Sequence, residues 1–148
     1  MDDFMRPLNE RGERNAPRMA KRLKEKKIVL DLLLSSPAVR AIQTTHLFAK
    51  VLEVRPSILQ TETALYHASS ETLLSVIRQI KNSADTVILV GHNPGLTDFA
   101  NALLQEHIIN IPTCGIVACA LTIQRWEDTQ FGTGKKLFYD YPKNPASW

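Results

Sequence analysis

Apolar positions along the chain follow two alternating rhythms. From Asn9, read as an N-cap, Ala16, Met19, Ala20 and Leu23 recur at helical spacing. The run closes in Lys24, Lys26 and Lys27, cations set against the negative end of a helix dipole. Asp31 to Ser35 is a continuous, mostly apolar run that predicts a strand covered on both faces. Ser36-Pro37 then reads as an N-cap with Pro at the first helical position, and Val39, Ile42, Ala49 and Leu52 mark the buried stripe of a second helix. Ser69 or Ser70 caps a third helix carrying Leu73, Ile77 and Ile80. Thr86 to Val90 is the clearest buried strand. After Gly91-His92-Asn93-Pro94 a fourth helix carries Leu96, Phe99, Ala100 and Leu103. Gly115 to Ile123 and Leu137 to Tyr141 predict two more strands, with a turn at Gly132-Thr133-Gly134 between them. This alternation predicts an α/β fold, a three-layer α/β/α arrangement with a largely parallel sheet and antiparallel strands at the C-terminal end.

Composition narrows the classes. The 148 residues suit a single domain over 1–148, and a chain that is 44% hydrophobic and 22% charged can build a core. Net charge is only +3, from 18 Lys and Arg against 15 Asp and Glu, which is not the footprint of a nucleic-acid binder. The basic run Lys21, Arg22, Lys24, Lys26, Lys27, interrupted by Glu25, reads as a solvated helix face. Trp126, Phe131, Phe138, Tyr139 and Tyr141 read as core and edge aromatics of the C-terminal strands. The longest apolar stretches, such as Ile28 to Leu34, fall far short of the roughly 18 to 20 residues of a membrane span. Met1-Asp2-Asp3-Phe4 carries no apolar signal region. Cys114 and Cys119, five apart in a strand-like run, point to opposite faces, so neither a disulfide nor a zinc site is expected. A reduced, cytoplasmic protein follows, with no membrane or nucleic-acid partner. No Asp/Glu cluster or His/Cys spacing suggests a metal, and no cofactor is implied.

Chemistry is expected at the carboxyl ends of the strands, where ligands bind in open α/β sheets. Two segments put polar groups there. With Ser36 as cap, Arg40 lies about one turn into its helix, and its planar fork suits an oxyanion. Gly91 permits a tight exit from the strand, and His92 stands at the strand tip beside a helix N-terminus. Arg40, His92, Ser36 and Asn93 together form a candidate phosphate cradle.

Ser35-Ser36-Pro37-Ala38-Val39-Arg40-Ala41-Ile42-Gln43-Thr44 and Gly91-His92-Asn93-Pro94-Gly95-Leu96 resemble two signature segments of the histidine phosphatase superfamily, in its small bacterial phosphohistidine phosphatase subgroup. Arg6-Pro7-Leu8-Asn9-Glu10-Arg11-Gly12 is similar to the segment that opens the subgroup's first helix, and Leu65-Tyr66-His67-Ala68-Ser69 to a mid-chain element. The resemblance runs from about Asp3 to about Pro142. It implies a metal-independent phosphohydrolase fold in which Arg40 binds phosphate and His92, the family's second His, stabilises the transferring group. Glu62 is the candidate proton donor, with Tyr66 beside it.

One departure shapes the functional expectation. Members of the family begin with a strand ending in Arg-His-Gly or Arg-His-Ala, whose His accepts the phosphoryl group. Here five residues precede Arg6, so the chain reads as N-terminally truncated relative to the family, without that first strand. His46, His67 and His107 offer no substitute. Phosphoryl transfer through a covalent intermediate needs an attacking group in line with the leaving oxygen. The chain as written is therefore expected to be inactive or weakly active toward phosphorylated protein histidine. The alternative is a non-catalytic regulatory protein that binds phosphate or a phosphoprotein. Without its first strand the sheet would also show an open edge, an invitation to homo-oligomers.

Overall fold

A computed structural model describes residues 2–144. A single 3-10 turn at Asp3–Met5 precedes helix α1, Glu10–Glu25. Asn9 caps α1 as its side chain predicts, its Oδ1 accepting the Gly12 N–H at 2.9 Å. Strand β1, Leu32–Ser35, leads into α2, Val39–Leu52, and then into a short strand β2, Leu59–Thr61. Helix α3, Ser70–Arg78, is capped by Ser69 and is followed by strand β3, Val87–Val90. Helix α4, Gly95–Leu104, precedes β4, Ile116–Ala120, and β5, Lys135–Asp140.

The strands form a parallel sheet in the order β2-β1-β3 and a separate antiparallel pair β4-β5. Leu33 lies opposite Leu59 on one side and Ile88 on the other. Asp31 fixes the start of this register, because its Oδ2 accepts the N–H groups of both Asp85 and Thr86. Period-two alternation sends neighbouring side chains to opposite faces. Leu34 and Leu89 join the core beneath α3 and α4, while Ile88 packs toward α1 and α2, where Ala16, Met19, Ala20 and Phe48 are buried. The result is three layers, with the α/β class and the antiparallel C-terminal strands as expected.

Several boundaries shift. Ser36 does not cap α2: the helix starts at Val39 behind Ala38, and the Ser36 hydroxyl instead accepts the Ala38 N–H at 3.2 Å to turn the corner. That later start rotates the stripe, so Ala41, Thr45 and Phe48 are the buried positions while Val39, Ile42, Ala49 and Leu52 are only partly covered. Arg22 is no solvated charge either. It reaches from α1 to Asp140 at 3.3 Å and donates to the carbonyls of Tyr141 and Pro142, tying the end of β5 to the helix. Lys26 of the same run lies 4.4 Å from the centre of the Phe138 ring. Cys114 and Cys119 are both free thiols and pack toward different cores, but Cys114 lies in a left-handed turn before β4, so strand alternation does not set their separation.

Strand β3, read as the clearest buried strand, is only half-buried along its length, and it carries the open sheet edge that was expected. It pairs with β1 on one edge, and among the described residues nothing pairs with the other. A cleft of about 1220 Å³ separates that edge from β4 and runs to Arg40 and His92.

Candidate active site

Sheet order decides where the site lies. From β1 the chain crosses through α2 to β2 on one side, then returns through α3 to β3 on the other. Helix α2 packs with α1 on one face and α4 with α3 on the opposite face. The segments leaving β1 and β3 therefore diverge, opening a crevice at their carboxyl ends, the usual ligand position in such sheets. Ser35 lies opposite Val90 and the Ser36 N–H donates to the Val90 carbonyl at 2.9 Å, so Ser36 and His92 emerge side by side.

The two predicted site residues converge. An Nη2 hydrogen of Arg40 faces His92 Nδ1 at 3.2 Å, and His92 Nε2 lies 2.7 Å from Ser36 Oγ. A guanidinium can only donate, so Nδ1 accepts and the ring proton sits on Nε2, donated to the serine hydroxyl. Burial holds the His92 pKa below the ordinary histidine value, and the Arg40 charge lowers it further. The imidazole is neutral near pH 7. Ser36 is fully buried, which fixes the ring's orientation.

Asn93 was expected in the same cradle, but its side chain is engaged elsewhere. Its Nδ2 donates to the Ile111 carbonyl at 2.7 Å, and its Oδ1 accepts from both the N–H and the hydroxyl of Thr97. It secures the first turn of α4, and so the position of His92, through the helix rather than through a ligand. Gly91 is also less constrained than expected, since a Cβ there would meet only Leu96 at ordinary contact distance. The glycine the backbone requires is Gly95, where a Cβ would collide with the Ala68 carbonyl oxygen. Glu62 sits beside the end of β1 through its N–H bond to Ser35, but its carboxylate hydrogen-bonds to neither Arg40 nor His92.

Asp3 was not read as a partner of this site, and Tyr66 was named only beside Glu62. Arg40 Nη1 donates to the Asp3 carbonyl at 2.8 Å and Nη2 to Asp3 Oδ2 at 3.3 Å. The Tyr66 hydroxyl donates to the same Oδ2 at 2.7 Å, and the Tyr66 ring stands edge-on to His92 with centroids 5.4 Å apart. The hydrogen bond from Tyr66 lowers the Asp3 pKa, against the effect of burial and with help from Arg40. The same bond raises the Tyr66 pKa. His67 leans on the other side of Tyr66, with ring centroids 4.0 Å apart. No described group of three or more His, Cys, Asp or Glu side chains could hold a metal ion. The arrangement sets one fixed cation at a crevice, braced by a neutral ring whose N–H is taken by a buried hydroxyl, and the guanidinium suits an oxyanion.

Comparison with known proteins agrees with this architecture. Residues 6–66 match the model of the histidine phosphatase superfamily (branch 1). An uncharacterized protein of Picosynechococcus sp. is 29% identical over 121 residues, covering 78% of this chain and 72% of that protein. A solved structure assigned as the phosphohistidine phosphatase SixA of Agrobacterium tumefaciens aligns with a TM-score of 0.81 at 27% identity, over 96% of this chain and 87% of that one. The protein histidine phosphatase SixA complexed with tungstate aligns at 0.80 and 23% identity, over 95% and 87%. A structure assigned as the phosphohistidine phosphatase SixA of Nakamurella multipartitia aligns at 0.82 and 18% identity, over 97% and 89%.

Proposed function

We propose that the chain, whose residues 6–66 match the histidine phosphatase superfamily and whose fold is that of solved phosphohistidine phosphatases, is a phosphohydrolase-type domain whose pocket takes the phosphoryl group of phosphorylated protein histidine. The observation that carries this reading is the convergence of Arg40 and His92 from separate strand ends. Arg40 supplies the permanent positive charge for the phosphoryl oxygens, and His92 holds the guanidinium through Nδ1 while its Nε2–H goes to Ser36. Ser36 orients the ring. Preorganised donors of this kind stabilise developing charge and are usually a large term in catalysis.

A second reading, a non-catalytic binder of phosphate or phosphoprotein, is favoured by one specific observation. Among the described residues His92 is the only imidazole in contact with Arg40, and both of its ring nitrogens are already engaged. A ring held in this way positions Arg40 but is not free to attack a phosphoryl group. The 148 residues by themselves are therefore assigned binding in preference to turnover. Incubation with a phosphohistidine peptide and with an aryl phosphate separates the two readings. Release of phosphate that Arg40→Ala and His92→Ala abolish supports the hydrolase. Binding of the phosphopeptide without release, weakened by the same substitutions, supports the binder. Turnover unaffected by either substitution refutes the site.

A further inference from the structure

The polar groups of the crevice are already occupied by an anion belonging to the chain itself. Arg40 Nη2 carries two hydrogens, and both are engaged, one by His92 Nδ1 and one by Asp3 Oδ2. One hydrogen of Nη1 goes to the Asp3 main-chain oxygen. The hydroxyl of Tyr66 is engaged by the same Oδ2. An oxyanion that needs the paired N–H groups of this guanidinium meets the Asp3 carboxylate first.

We infer that Asp3 is an internal competitor for the oxyanion pocket, and that the Asp3–Met5 turn is a latch which a phosphoryl ligand must displace. The inference rests on the reading of Arg40 and His92 as a phosphate pocket. Its geometry is that of a substitute ligand: a carboxylate places negative oxygen where the guanidinium and a hydroxyl converge, as a phosphate would. The turn is lightly held. Beyond the Asp3 contacts, the Phe4 ring stands edge-on to Tyr66 with centroids 5.2 Å apart, and Met5 is 54% exposed. The Asp3 side chain itself remains 44% accessible and Arg40 28%, so ligand and latch can exchange at the surface without opening a core. A proton-donor role for Asp3 fits less well, because the hydroxyl of Tyr66 and the Arg40 charge keep its carboxyl ionised.

The test is tungstate binding by isothermal titration to the full 148-residue chain and four variants. Asp3→Asn keeps the size of the side chain and removes the charge, and a partly exposed ion pair of this kind accounts for up to about fivefold in affinity. Tungstate is therefore expected to bind Asp3→Asn about two- to fivefold more tightly than the unaltered chain. Asp2→Asn removes a neighbouring charge without a contact to Arg40 and is expected to change affinity by less than about twofold. Arg40→Ala is expected to abolish binding, and Asp3→Asn in the Arg40→Ala background to restore none of it. Equal or weaker binding by Asp3→Asn, while Arg40→Ala still abolishes it, overturns the latch and leaves the pocket intact. An equal gain from Asp2→Asn overturns the latch as well, because the effect is then one of general charge. Binding that Arg40→Ala leaves unchanged overturns the pocket reading itself.

Discussion

His92 and Arg40 meet through a nitrogen that can only accept and a nitrogen that can only donate, 3.2 Å apart. That contact excludes a proton from Nδ1, so any protonation of the ring breaks it. The arrangement makes the neutral imidazole part of the folded structure and ties the charge state of the site to pH.

The first prediction concerns this titration. The folded-state pKa of His92 is below the ordinary value of 6.5, through burial first and the Arg40 charge second, with Asp3 acting in the opposite direction and His67 adding to the depression. Its contribution to stability is therefore fully present above about 6.5 and is lost as pH falls through the lowered value. Observed by the ring C–H resonances in NMR, His92 should titrate below 6.5, and Arg40→Gln should move it upward. A His92 that titrates at or above 6.5 in the unaltered chain contradicts the contact.

Ser36 is fully buried, and its hydroxyl serves two donors at once, His92 Nε2–H and the Ala38 N–H. Ser36→Ala leaves both without an acceptor, at a cost of about 1–3 kcal/mol. Urea unfolding should show a lower midpoint with an unchanged slope. A midpoint within error of the parent means that another group takes over both bonds.

Two glycines near His92 should respond differently to the same change. Gly95→Ala drives a methyl into the Ala68 carbonyl oxygen, and overpacking of this kind costs about 1–3 kcal/mol. Gly91→Ala meets only the Leu96 side chain at 3.5 Å and should stay within about 1 kcal/mol of the parent. Thermal melts of the two variants decide it, and equal losses contradict the assignment of Gly95 as the constrained position.

The C-terminal strand depends on Arg22, whose partner Asp140 is almost fully buried. Arg22→Ala removes that contact together with the donations to the Tyr141 and Pro142 carbonyls, and the expected loss is about 1–3 kcal/mol. Hydrogen exchange should locate the damage first in β5, Lys135–Asp140. Exchange that rises uniformly over the whole chain contradicts a local anchoring role.

What the sequence made legible divides along local and distant contacts. The caps at Asn9 and Ser69 could be read because each serves a backbone N–H three residues ahead. Arg40 and His92 could be read because strand ends are where α/β sheets place ligands, a rule that needs only the strand boundaries. Strand β2 escaped notice: Leu59-Gln60-Thr61 is too short to show a period, and only Leu59 is partly covered. Asp3 escaped because its partners lie 37 and 63 residues away, and an acidic residue near a chain end carries no local signal of them. Arg22 was misread for the same reason, since Asp140 is 118 residues distant and the basic run around it looks solvated in one dimension. Asn93 belonged to the right loop, but only its actual neighbours show that the amide serves the fold.

The central claim is that one oxyanion binds between Arg40 and His92. Crystals of the 148-residue chain grown with tungstate, examined by anomalous scattering from the metal, test it most directly. The account predicts a tungsten peak within hydrogen-bond reach of the Arg40 guanidinium and beside the His92 ring, with the Asp3 carboxylate moved away. A peak elsewhere, with Arg40 still bonded to Asp3 and no anion at His92 under saturating tungstate, contradicts it.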